Sequence, residues 1–143
     1  MIASRHYIPL KHLRAVLRLG QLSRYPALTM NENRPTDATD EEWEYIQALA
    51  DPNEDIRDNA AGALHALDAE CAVPALLHAL NSEPNEFIRG NYVYYLGYLV
   101  VHGTGEHDKL LIRTFDEVSQ SETSQNVIDE MNNDEIRTIR ERI

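Results

Sequence analysis

Apolar residues recur three and four positions apart through most of the chain after residue 39, so every element predicted there is a helix. EEWEYIQALA (41–50) sets Trp43, Ile46 and Leu49 on one side, and AVPALLHAL (72–80) does the same with Pro74, Leu77 and Leu80. Two longer stripes follow these short ones: Ile56, Ala60, Ala63, Leu64 and Leu67, then Ile88, Tyr92, Tyr95, Leu96 and Leu99. HDKLLIRTFDEV (107–118), SQNVIDEM (124–131) and DEIRTIRER (134–142) read as three more helices, the last polar with Ile136, Ile139 and Ile143 toward the core. Near the start, Pro9 and Gly20 bracket a helix over 9–20, with Leu10, Leu13 and Leu17 beside Lys11, Arg14 and Arg18. Residues 23–38, broken by Pro26 and Pro35, read as a linker. The expected organisation is a basic helix and linker over 1–38 and a helical domain over 39–143.

The pattern also repeats. DPNEDIRDNAAGALHAL (51–67) and EPNEFIRGNYVYYLGYL (83–99) align without a gap at an offset of 32, with eight identities in seventeen positions. The shorter helices before them align at 31. A period of this length marks stacked helix pairs, because neither helix of a pair can bury its stripe alone. Each long helix has a strong predicted start: Asp51 or Glu83 as cap, proline at the first helical position, and Glu54 or Glu86 three residues after the cap. Leu111, Ile112 and Phe115 suggest a third, degenerate unit whose partner helix lacks the Pro and Ile-Arg pattern.

The run Asp-Pro-x-x-x-Ile-Arg-x-x-Ala-Ala-x-Ala-Leu, then Ala-Val-Pro-Ala-Leu-Leu-x-Ala-Leu and a second Pro-x-x-x-Ile-Arg, resembles HEAT repeats. It is most similar to the short-period subclass of phycobilisome-lyase subunits. The resemblance covers about residues 40–101 and implies an all-α fold: an α-solenoid of about three HEAT-like helix pairs with an extra N-terminal helix. It further implies that Asp51 with Arg57, and Glu83 with Arg89, belong to a charged ladder between repeats, and that second helices line a concave binding face. Ankyrin and tetratricopeptide repeats have similar periods, but their signature residues are absent.

Charge narrows the functional classes. The chain of 143 residues has a net charge of −11, unevenly placed: residues 1–37 hold six cations against two acids, and the rest seven against 22. A body that acidic excludes general duplex binding and the cationic groove of HEAT-like DNA glycosylases. No apolar window is long enough to span a membrane, since Lys11, Arg14 and Arg18 interrupt the best N-terminal stretch. The same segment, Arg-rich and without an acid over its first 31 residues, suits a transit peptide as well as a capping helix. The lone Cys71 points to a reducing, cytoplasmic setting.

Candidate chemistry is sparse. No phosphate loop, zinc-finger spacing or nucleophile elbow occurs. His102, Glu106, His107 and Asp108 gather metal-type donors within a Gly-containing loop, but histidines five apart share no helix face, so no metal is expected. Cys71 reads as a small packed residue, and His65 and His78 as surface residues. The helix with four of the seven tyrosines carries more weight. Tyr92 and Tyr95 fall in the core stripe, whereas Tyr94 and Tyr98 lie on another side, in line with Gly62 and Ala66 of the preceding repeat and near Asn59 and Asn91.

By the resemblance, Asn59, Gly62, Ala66, Asn91, Tyr94 and Tyr98 form a concave-face site for another protein; the other reading packs Tyr94 and Tyr98 under the N-terminal segment, residues 1–38, of the same chain. The expected partner has a basic patch, and the expected role is that of a cofactor-free adaptor or of a neutralising partner of the immunity type. The alternative is a bilin-lyase-like subunit holding a tetrapyrrole in the repeat groove, which a coloured complex with bilin would reveal. No duplex binding is expected at physiological salt. A salt-dependent mobility shift at micromolar protein, abolished by deleting residues 1–22, would instead assign nucleic-acid binding to the basic arm.

Overall fold

A helix begins where a side chain can take up its free amides, and Thr39, Asn53, Asn85, Ser124 and Asn133 do so for five of the helices among the described residues. The computed structural model describes residues 34–143; the helix predicted over 9–20 and the linker before Arg34 lie outside the described residues. The elements are α1 (Asp40–Ala48), α2 (Glu54–Ala66), a short 3-10 turn (Glu70–Ala72), α3 (Val73–Ser82), α4 (Glu86–Val101), α5 (Asp108–Ser119), α6 (Gln125–Glu130) and α7 (Asp134–Glu141). Among the described residues the fold is all-helical, without strands. None of these helices is long and apolar enough to cross a membrane. The chain divides after Ala72 into two compact units.

In the first unit, Thr39 caps α1. Its hydroxyl accepts from the Glu42 amide at 3.1 Å, and the Glu42 carboxylate accepts from the Thr39 amide at 2.9 Å. α1 packs on α2, burying Trp43, Tyr45 and Ile46 with Ile56, Ala60 and Leu64. The turn after α2 is a Schellman closure: the Ala69 amide donates to the Leu64 carbonyl at 3.0 Å and the Asp68 amide to His65 at 3.1 Å. That closure puts Asp68 at φ 53°, a left-handed position that glycine adopts at less cost.

In the second unit α4 is the hub, packed on α3, α5, α6 and α7, while α3 also meets α5 and α5 meets α7. Its Tyr92, Tyr95 and Leu96 are fully buried. Gly97 lets α7 come close: a Cβ there would stand 3.0 Å from Ile136 Cδ1. Arg142, just after α7, clamps this arrangement. Its Nε and Nη2 pair with the two Asp108 carboxylate oxygens at 2.7 and 2.9 Å, and its Nη2 and Nη1 donate to the Val100 and Val101 carbonyls at 2.8 and 3.1 Å. Those carbonyls end α4; Val100 also takes the Gly103 amide at 3.1 Å, and Arg142 adds a charged donor to both. One side chain therefore joins the end of α4 to the start of α5, and Arg140 adds a pair to Asp116 on α5 at 2.7 Å.

The expected cap positions shift by two residues. Asp51 and Glu83 do not cap; Asn53 and Asn85 do, and Pro52 and Pro84 precede the cap instead of opening the helix. The acids brace the turn, because the Asp51 carboxylate accepts from the Asn53 amide at 2.7 Å and Glu83 from the Asn85 amide at 3.1 Å. Replacing Asp68 by glycine should remove the left-handed penalty and stabilise the fold by about 1 kcal/mol. Melting curves of Asp68→Gly and Asp68→Ala at neutral pH check this, with the glycine variant expected to melt highest.

Candidate functional site

The three turns that precede α2, α4 and α6 have one geometry. The cap residues Asn53, Asn85 and Ser124 stand at φ/ψ of −82/118°, −84/118° and −82/117°. Two residues before each is an acid. Glu122 plays the part of Asp51 and Glu83, accepting from the Ser124 amide at 3.0 Å, and Val127 takes the buried place of Ile56 and Ile88. Sequence reading missed this third copy because Thr123 replaces the proline and Ile128 the arginine.

Arginines six residues after the first two acids tie the turns down. Arg57 Nη1 donates to the Asp51 and Pro52 carbonyls at 2.9 and 3.1 Å, and Arg89 Nη1 to those of Glu83 and Pro84 at 3.1 and 2.9 Å. Arg89 does more: its Nε and Nη2 form a fork with the Glu122 carboxylate at 2.8 and 2.9 Å. The Glu122 side chain is only 2% exposed. Hydrogen bonding from Arg89, opposed by burial, holds the Glu122 carboxyl below its ordinary value, and the same bond raises the Arg89 guanidinium. Above this pair is a polar groove of about 330 Å³, rimmed by Glu117, Ser121 and Thr123. Its guanidinium is already committed to Glu122, so the groove offers no anion site.

The accessible side of α4 has a different chemistry. Phe87 is 69% exposed, while Gly90, Tyr94, Tyr98 and Val101 are half-buried and His102 is exposed. From Gly90 to Val101 the helix has no charged residue. The Tyr98 ring lies over His102 with centroids 4.5 Å apart, and Tyr94 meets the edge of buried Tyr95 at 6.0 Å. Of the expected partner-binding residues, Tyr94 and Tyr98 thus share one side of α4, and Asn91 is buried on that helix. In the first unit Ala66 is exposed, whereas Gly62 and Asn59 are buried, with Asn59 Nδ2 donating to the Asp55 carbonyl at 2.7 Å. Phe87 and Gly90 were not singled out in the sequence. The repeat offset carries their signal: it sets Phe87 on Asp55 and Gly90 on Asp58, so α4 loses two carboxylates that α2 has.

The remaining candidates are spread over several elements. Cys71 is half-buried, donates toward Glu42 Oε1 at 3.6 Å, and has its thiol pushed up to about 12 by burial, then by Glu42 and Asp37. It is therefore a thiol at neutral pH and a poor nucleophile. Asp108 of the HGTGEHD loop is held by Arg142, His102 ends α4 and His107 precedes α5. His65 is half-buried, and burial lowers its pKa against the opposing pull of Asp68. No protein-family model, curated protein or solved structure matches the chain.

A depressed carboxyl contributes stability above its ordinary value of 4.5 and loses it as pH falls through the lower, folded value. Glu122→Gln should melt below the parent at pH 7, and the two curves should converge as the pH is lowered to 3. Arg89→Ala should cost about 1.5 to 3 kcal/mol at pH 7, since it leaves a buried carboxylate without its fork. Thermal melts from pH 7 to 3 for all three proteins measure both effects.

Proposed function

We infer that the protein is a non-catalytic protein-binding module built of HEAT-like helix pairs, and that it docks its partner on α4 with Tyr94 and Tyr98 as anchors. Support for the repeat comes from the 32-residue alignment, the thrice-used turn, and the packing of first helix on first (α3 on α5) and second on second (α4 on α6). In HEAT repeats the second helices are the binding ones, and α4 is a second helix.

The observation that carries the reading is the aromatic, charge-free stripe of α4. A helix packed on four others needs apolar residues toward each of them, but it does not need Phe87 at 69% exposure or two tyrosines on its accessible side. Water-facing positions of a structural helix are ordinarily charged or polar. Tyrosine and phenylalanine in their place supply large, rigid contact area at low entropic cost, the composition of interface hot spots. The body around them holds 22 acids against seven cations after residue 37, which favours a partner with a basic patch and speeds its approach. An adaptor and a neutralising partner of a basic protein both fit this description.

Tyr95→Ala should open a cavity and cost about 3 to 5 kcal/mol, because Tyr95 is fully buried. Tyr94→Ala and Tyr98→Ala should melt near the parent, yet each should weaken the natural partner about thirtyfold. The check is a capture from native lysate on parent and Tyr94→Ala/Tyr98→Ala protein side by side, with titration of whatever only the parent retains. Early melting of the double variant, or identical captures, would remove the assignment.

A further inference from the structure

Phe87, Gly90 and Tyr94 stand at i, i+3 and i+7 on α4, three of the four corners of the hole that receives a side chain when two helices interdigitate; the fourth, Asn91 at i+4, is buried at its base. The corners are unequal. Phe87 projects at 69% exposure and Tyr94 is half-buried, while a Cβ built on Gly90 meets no atom within 4 Å. A knob stands on one side of the notch and a ring on the other. Gly90 also lies inside α4, where glycine is unfavourable and a positive φ is not required. Neither packing nor backbone geometry in the fold calls for it, and the equivalent position of the preceding repeat is Asp58.

Resting on the reading of α4 as a docking face, we propose that the notch over Gly90 receives one large aliphatic side chain from a helix of the partner, and that this helix carries Lys or Arg on either side of it. The charge of the second unit selects those flanks. Residues 73–143 hold twelve acids and six cations. Four of those cations are already ion-paired within the unit, Arg89, Arg137, Arg140 and Arg142. The other two, Lys109 and Arg113, are on α5. Arg89, the one cation of α4, is spent on Glu122, and exposed Glu86 stands directly beside Phe87. A helix approaching the stripe meets a net negative field over an uncharged floor. Its best complement is apolar at the centre and cationic at the flanks.

The probe is a displayed library of 20-residue helical peptides, randomised on one face and selected on the full chain. Enriched sequences are expected to share a Leu, Ile or Met with Lys or Arg within a turn on each side. Gly90→Leu, which fills the notch, should weaken a selected peptide at least thirtyfold and melt no lower than the parent. Gly90→Ala should weaken it only a few-fold. If Phe87→Ala and Tyr94→Ala weaken the peptide while Gly90→Leu does not, the notch is wrong and the docking face stands. If none of the three does, the docking face falls with it. Acidic flanks among the selected peptides would overturn the charge argument. A concentration-dependent dimer of the parent, lost in Gly90→Leu, would give the notch to a second copy instead.

Discussion

A carboxylate with almost no access to water has to be satisfied on every side, and Glu122 is so placed. It takes a fork from Arg89 and amides from its own turn, at Thr123 and Ser124. Through that one group the turn before α6 is joined to the first turn of α4, whose arginine also holds the Glu83 and Pro84 carbonyls. The second unit is thus fixed at one end by Arg89 and at the other by Arg142. Both use the same device: a guanidinium that neutralises an acid while collecting carbonyl oxygens at a helix boundary.

Between these two pins α4 has to serve four neighbouring helices, and this accounts for its composition better than any functional demand. Tyr92, Tyr95, Leu96 and Leu99 fill the contacts, and Gly97 makes room for Ile136. What packing does not account for is the part of the stripe left in view. The functional reading rests on that residue of unexplained apolarity, concentrated at Phe87, Tyr94 and Tyr98.

Much of the helical plan was legible because amphipathic periodicity is local. α1, α3, α5 and α7 start and end within two residues of where the apolar spacing puts them. The caps were misplaced by two, since a proline is equally at home before a cap and just after one, and a carboxylate can brace an amide two residues ahead as readily as it can cap. The third turn was hidden because its geometry needs only an acid, any residue, and a cap. Glu122, Thr123 and Ser124 meet that need without the letters of the first two copies. Arg142 escaped for another reason: its partner Asp108 is 34 residues away, and no spacing rule connects them. On the candidate site, Tyr94 and Tyr98 were readable from helical phase. Phe87 and Gly90 were not, since they are exceptions to the repeat and a search for likeness passes over them.

The central position of α4 also governs how its unit opens. Its amides at Tyr92, Tyr95, Leu96 and Leu99 are on the sides packed against other helices, so their hydrogen exchange should report the global stability of the unit. At the first turn of α4 the backbone is held by the Asn85 cap and by Arg89, so freedom of movement there is left to side chains, above all to Phe87 at 69% exposure. A pinned backbone carrying a ring that can change rotamer lets this face adjust to an incoming surface without unfolding the support beneath it.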